Sequence, residues 1–150
     1  MSRVHRTAVP SDALANLPGA HYSVAFQLEY TGHRTPEQWA RALLEGGPTV
    51  WRLVLMFGWR YILGLQLGPS HSQTPWHVQG WPIATNDEKT IALTASSSIL
   101  DAANVFEVGP DTVTWVTLVR YKNPVGRVLW TALAPVHQLS VPPLFIRASR

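Results

Sequence analysis

The sequence predicts an α+β domain: a curved antiparallel sheet closed by one long C-terminal helix, with two helices inserted after the first strand. Three observations carry this expectation. HYSVAFQLEY and TVTWVTLVRYK alternate or run apolar with the β-branched and aromatic content of strands. Between them WHVQGWPIA, TIALTASS and ILDAANVFEV read as further strands, and connections as short as NDEK and GPD make neighbours antiparallel. The closing stretch, NPVGRVLWTALAPVHQLSVPPLFIRAS, is apolar at helical spacing and long enough to cross a sheet.

Composition bounds the class. The 150 residues are 46% hydrophobic and 14% charged, which fits one folded domain and excludes a disordered chain. Zero cysteines exclude disulfides, thiolate chemistry and sulfur-built zinc sites, and fit a cytoplasmic protein. The 12 Lys+Arg against 9 acids scatter from Arg3 to Arg150 and form no basic block, so nucleic acid is not an expected partner. The opening twenty residues lack the apolar run of a signal peptide. Val50 to Leu67 is interrupted by Arg52, Gly58, Arg60 and Gly64, so it reads as a buried or interfacial helix rather than a span.

In chain order, residues 1–20 are expected to be an irregular arm broken by Pro10 and Pro18, and residues 21–150 a single domain. In the first strand Tyr22, Val24, Phe26, Leu28 and Tyr30 share a face. TPEQWARALLEGG follows with Thr35 as N-cap, Pro36 at the first helical position, Gln38 completing a capping box and Gly46 as terminator. PTVWRLVLMFGWRYILG is apolar almost all round and wants cover on more than one side. In the meander, Ile91, Leu93, Ala95, Leu100, Ala102 and Asn104, then Phe106, Val113, Trp115, Val119 and Tyr121, fall on the inward face. In the closing helix Asn123 caps and Pro124 starts, while Val125, Val128, Leu129, Ala132, Leu133, Val136 and Leu139 make the stripe expected to face the sheet.

This order of elements resembles the START-like (SRPBCC) helix-grip superfamily over residues 21–148. The closing pattern Arg120-x-x-Asn123-x-x-Gly126-Arg127, with Pro135-x-His137 and Arg147, is similar to the ending of an uncharacterised bacterial branch of that superfamily, and Trp39 suits its first helix. The resemblance implies a helix-grip fold and an apolar ligand, such as a lipid, polyketide or sterol-like molecule, held between sheet and helix. It implies no catalytic residue and no cofactor.

Read from the residues, the alanines among bulky inward groups leave room for a cavity, and Asn104 on that apolar face needs a hydrogen-bond partner. Trp115, Tyr121, Leu133 and His137 join Asn104 as candidate ligand contacts. His137 stands either as an acid or base of a cyclase- or hydratase-like enzyme, working with Asn104 or Tyr121, or as a helix-flank histidine packed on Trp130. Arg120 reads as an ion pair with Asp101 or Glu107, and Arg127, opposed to the helix dipole, calls for a partner. Pro135 removes one helical hydrogen bond. Six histidines, His71 and His77 among them, lack metal-ligand spacing, so no metal is expected. Trp51, Arg52, Trp59 and Arg60 are either core or a contact with a membrane surface or a second copy of the chain.

Overall fold

A computed structural model describes residues 4–68 and 74–150. Seven antiparallel strands form one curved sheet in the order β1-β2-β7-β6-β5-β4-β3: β1 Val4–Thr7, β2 Tyr22–Glu29, β3 His77–Val78, β4 Trp81–Asn86, β5 Thr90–Ser96, β6 Leu100–Val108 and β7 Thr112–Tyr121. The helices are α1 Ser11–Leu14, α2 Pro36–Leu44, α3 Thr49–Phe57 and α4 Pro124–Ala148, and α3 runs on into a five-residue π-helical turn, Gly58–Ile62. This is the expected α+β helix-grip arrangement. Among the described residues no helix is long and apolar enough to cross a membrane.

The inward register of the meander follows the alternation. Ile91, Leu93, Leu100, Phe106, Val113 and Val119 are buried in one cluster with Trp115 and with Trp130, Val141 and Phe145 of α4. Helix α2 has its capping box: the Thr35 hydroxyl accepts from the Gln38 amide, and the Gln38 side chain accepts from the Thr35 amide. Its Trp39 is fully buried, edge-on to Tyr30 and Phe145, with the Arg34 guanidinium 4.7 Å over the indole.

Asn123 caps α4, its side-chain oxygen accepting from the Gly126 amide at 3.0 Å. Gly126 is required by packing, because a Cβ there would run into the Ile99 carbonyl of the β5–β6 turn. Arg120 pairs with Asp101 at 2.8 Å and also donates to the Pro18 carbonyl, tying the N-terminal arm to the sheet. The partner of Arg127 is the Tyr121 ring, 5.6 Å from its guanidinium carbon. Pro135 lies inside α4 together with Pro142 and Pro143, so the carbonyls of Thr131, Gln138 and Leu139 lose their usual intrahelical donors.

Three expectations need correction. The arm is not irregular throughout: Val4–Thr7 adds an edge strand to β2, and Ala13 and Leu17 cover the outer face of the sheet over Ala25, Ala92, Ala103 and Val116. That face is apolar because β2, β6 and β7 carry small or β-branched residues on both sides, which alternation read on one side does not reveal. The meander holds five strands where about four were expected, because the two-residue β3 pairs with β4.

The third correction concerns the α4 stripe. Val125, Val128, Ala132, Val136 and Leu139 are exposed, Leu139 by 78%. The helix is turned so that Gly126, Trp130, Ala134, Val141 and Phe145 face the sheet, with Leu129 and Leu133 half-buried at the margin. A helix apolar on most of its surface leaves its rotation undecided. The sheet contacts that only Gly126 and the large rings can make then decide it.

Candidate functional site

Between the concave face of the sheet, α4 and the α3 segment lies a cavity of about 260 Å³. Strands β6 and β7 form its floor through Leu100, Ala102, Asn104, Trp115, Thr117 and Val119. Helix α4 forms one wall through Trp130, Leu133, His137, Ser140 and Leu144. Trp51 and Leu55 of α3, Trp59 of the π turn and Trp81 of β4 form the other, and Val54, Phe57, Ile62 and Val136 stand exposed at the mouth. None of the described residues that line the cavity carries a charge at neutral pH.

One polar relay crosses this apolar space. The indole nitrogen of Trp115 donates to Asn104 Oδ1 at 3.0 Å, and the Thr117 hydroxyl reaches the same oxygen at 2.9 Å. His137 Nε2 lies 3.2 Å from the Thr117 hydroxyl. An indole N–H only donates, so the Asn104 atom facing Trp115 is its oxygen. That oxygen only accepts, so the single Thr117 proton is committed to it, and the Thr117 oxygen must accept from His137 Nε2–H. The ring is therefore protonated on Nε2. Burial holds its pKa down at about 4, so at neutral pH it is uncharged and Nδ1 carries a bare lone pair. As a residue His137 is only partly buried, but Nδ1 itself is enclosed and has no hydrogen-bond partner among the described residues.

The predicted contacts divide. Asn104, Trp115, Leu133 and His137 meet at the cavity, and Cα partners Asn104 and Thr117 put the threonine hydroxyl between the asparagine and the histidine. Thr117 was missed, although its parity with Val113, Trp115 and Val119 marks it as inward. Tyr121 is not in the cavity: β7 carries it past the start of α4, where it stacks on His21 at 5.1 Å and takes the Arg127 guanidinium on its ring. The proposed union of His137 with Tyr121 is thus absent, while that with Asn104 is present through one hydroxyl. A neutral His137 with so low a pKa is also no imidazolium donor near pH 7.

Trp51 and Trp59 are half-buried cavity walls, Trp59 edge-on to Trp81 at 5.5 Å, rather than an outward pair. Arg60 donates to the Gly68 carbonyl at 2.6 Å, and Arg52 reaches the Thr49 hydroxyl at 3.4 Å. The outward face of this segment is Val50, Leu53, Val54, Phe57 and Tyr61. Among the described residues no three His, Asp or Glu side chains cluster as metal ligands, and His71 lies outside the described residues.

Comparison with solved structures finds similarity to CalU16 from Micromonospora echinospora, at 12% identity over 99% of this chain and 90% of that one, with a TM-score of 0.30. It also finds similarity to PA94, a protein of unknown function from Pseudomonas aeruginosa, at 11% identity over 95% and 80% of the two chains, with a TM-score of 0.21. No curated protein matches the chain. A family model does match, over residues 13–144, and so the chain belongs to DUF2867, a family described as a protein of unknown function.

Proposed function

We propose that this protein binds or carries an uncharged, largely apolar small molecule in the cavity under α4, as a branch of the START-like superfamily that its helix-grip arrangement resembles. The observation that carries the reading is a space of about 260 Å³ whose lining is aliphatic and aromatic save for Ser140 and one relay of Asn104, Thr117 and His137. That composition, a mostly apolar concavity with a few convergent polar groups, is the usual form of a ligand site. Packed interiors leave few voids larger than a water, so a concavity of this size between the side chains is itself a departure to be explained. The test is native mass spectrometry after mild purification, beside Ala102→Phe, which places a ring in the floor. A co-purifying adduct that the variant lacks is the expected result; a chain that carries nothing and takes up no apolar probe overturns the reading.

A second reading is favoured by one observation of its own. Val50, Leu53, Val54, Phe57 and Tyr61 expose a continuous apolar face on α3 and the π turn, beside the cavity mouth and the exposed Val136 and Leu139 of α4. We read this face as a contact with an anionic membrane, from which or to which the cavity exchanges its ligand. Arg52 and Arg60 on the same segment and the net charge of +3 supply the matching sign. Co-sedimentation with phosphatidylserine vesicles, lost on Leu53→Ser with Phe57→Ser, supports it; a stable dimer and no vesicle binding sink it.

A further inference from the structure

Asn104 sits on the cavity floor, and the two ends of its amide meet different surroundings. The oxygen takes two donors, the Trp115 indole N–H at 3.0 Å and the Thr117 hydroxyl at 2.9 Å, and His137 Nε2 backs that hydroxyl at 3.2 Å. The nitrogen, Nδ2, carries two protons and donates to nothing among the described residues. Nor is it sealed among side chains, as the indole nitrogens of Trp81 and Trp130 are. Asn104 as a residue is 6% exposed, and it projects from the concave face into the lining of the cavity. Its neighbours across the sheet are Thr117 of β7 and Leu93 of β5. With Oδ1 turned to β7, Nδ2 points away from it, on the side where Leu93 has no acceptor to offer. The orientation is locked. Turning the amide over would set its N–H groups against the indole N–H and strand the Thr117 proton, so the donor end stays where it is.

Resting on the cavity being a ligand site, we infer that its ligand is a neutral ketone, ester or lactone on a compact apolar frame, and that its carbonyl oxygen accepts from Asn104 Nδ2. A donor this deeply buried is costly until an acceptor reaches it, and a ligand oxygen removes the cost. The relay fixes the amide and strengthens it, because hydrogen bonds received at the oxygen polarise the N–H groups at the other end. A carbonyl brings no proton of its own. An alcohol brings one, while Oδ1 already holds two donors and the Thr117 oxygen holds one. A carboxylate would meet a single neutral amide and no cation among the described lining residues, too little to replace its hydration. An ammonium would meet a donor. The indoles of Trp59, Trp81 and Trp115 suit a flat frame, and a space of about 260 Å³ keeps it small.

Four probes on one frame test this by equilibrium dialysis at pH 7: 2-acetylnaphthalene, its hydrocarbon isostere 2-isopropenylnaphthalene, 1-(2-naphthyl)ethanol and 2-naphthoate. The affinity of each neutral probe is referred to its own transfer from water to cyclohexane, which removes the difference in hydrophobicity. On that scale the ketone is expected to lead the hydrocarbon by at least about tenfold, the difference between a paired and an unpaired buried acceptor. The alcohol is expected to fall between them, and naphthoate to bind weakest. Asn104→Leu removes the amide at similar volume and is expected to bring the ketone within about two- to threefold of the hydrocarbon while the hydrocarbon still binds. A ketone lead that survives this variant overturns the assignment to Asn104. Equal binding of ketone and hydrocarbon on the unaltered protein, an alcohol ahead of the ketone, or naphthoate binding tightest overturns the carbonyl inference and leaves the cavity as a ligand site. Failure of all four probes to bind removes the ligand site itself. The order on the unaltered protein decides the ligand class whether or not the variant folds.

Discussion

Helices α2 and α3 follow one another across Gly46, Gly47 and Pro48, are each nine residues long, and end in opposite situations. The sequence of α2, PEQWARALL, is the more polar, yet it buries Pro36, Trp39, Ala40, Leu43 and Leu44. TVWRLVLMF of α3 is almost wholly apolar and buries none. In α2 one stripe goes to the core while Glu37, Arg41 and Glu45 pair along the other at 2.9 Å. In α3 one side, with Trp51 and Leu55, borders a space and the other faces outward. Apolar content therefore measures what a helix has to cover, and the supply of packed neighbours decides whether it is covered. This chain's most hydrophobic segment is thus a helix that walls a cavity on one side and stands exposed on the other.

The contrast is open to direct tests, the largest effect first. Trp39→Ala removes a fully enclosed ring from between Tyr30 and Phe145 and is expected to cost about 3–5 kcal/mol in denaturant unfolding. A loss near zero would mean that α2 is no more embedded than α3.

The second test concerns charge. None of the α3 residues that line the cavity is titratable, whereas the α4 wall carries His137. Its folded pKa of about 4 lies below the ordinary value of 6.5, so the folded chain resists a proton that the unfolded chain takes. The full stability is present above about pH 6.5 and is lost as pH falls from there towards 4, by up to about 3 kcal/mol. His137→Phe is expected to flatten the pH profile in that window, and an unchanged slope would place the ring in water.

Smaller effects probe α3 itself. Gly58 joins α3 to the π turn with φ −61° and ψ −47°, and a Cβ there would meet nothing within 4 Å. Gly58→Ala is expected to raise stability by about 0.4–1 kcal/mol through the unfolded chain, and a loss instead would show that the turn needs the glycine. Phe57→Ser, on the outward face, is expected to leave stability within about 0.5 kcal/mol while vesicle binding falls. A core-sized loss there would erase the distinction between the two helices.

Much of the fold was legible because it rests on local chemistry. The Thr35–Gln38 capping box, the Asn123 cap, the inward parity of β5 to β7 and the placing of α4 over the sheet all follow from spacing and side-chain type. Part of the cavity lining followed with it: Asn104, Trp115, Leu133 and His137 do meet there. Tyr121 went astray because parity says which face a residue takes and nothing about where along a strand the cavity ends. The α4 stripe went astray for a related reason. With Val, Leu and Ala on nearly every side, helical periodicity has no minimum to point to, and it was the close approach of Gly126 to Ile99 and the seating of Trp130 and Phe145 that set the rotation.

The order of elements, the caps, the strand register and the scarcity of charge inside were thus determined by the sequence alone, since each depends on residues a few positions apart. The rotation of α4, the covering of the outer sheet face by residues 9–20, the exposure of α3 and the tautomer of His137 were decided only by tertiary structure. They depend on which groups, distant in sequence, come within a few ångströms of one another, and a hydrogen bond assigns its proton only once both partners are in place.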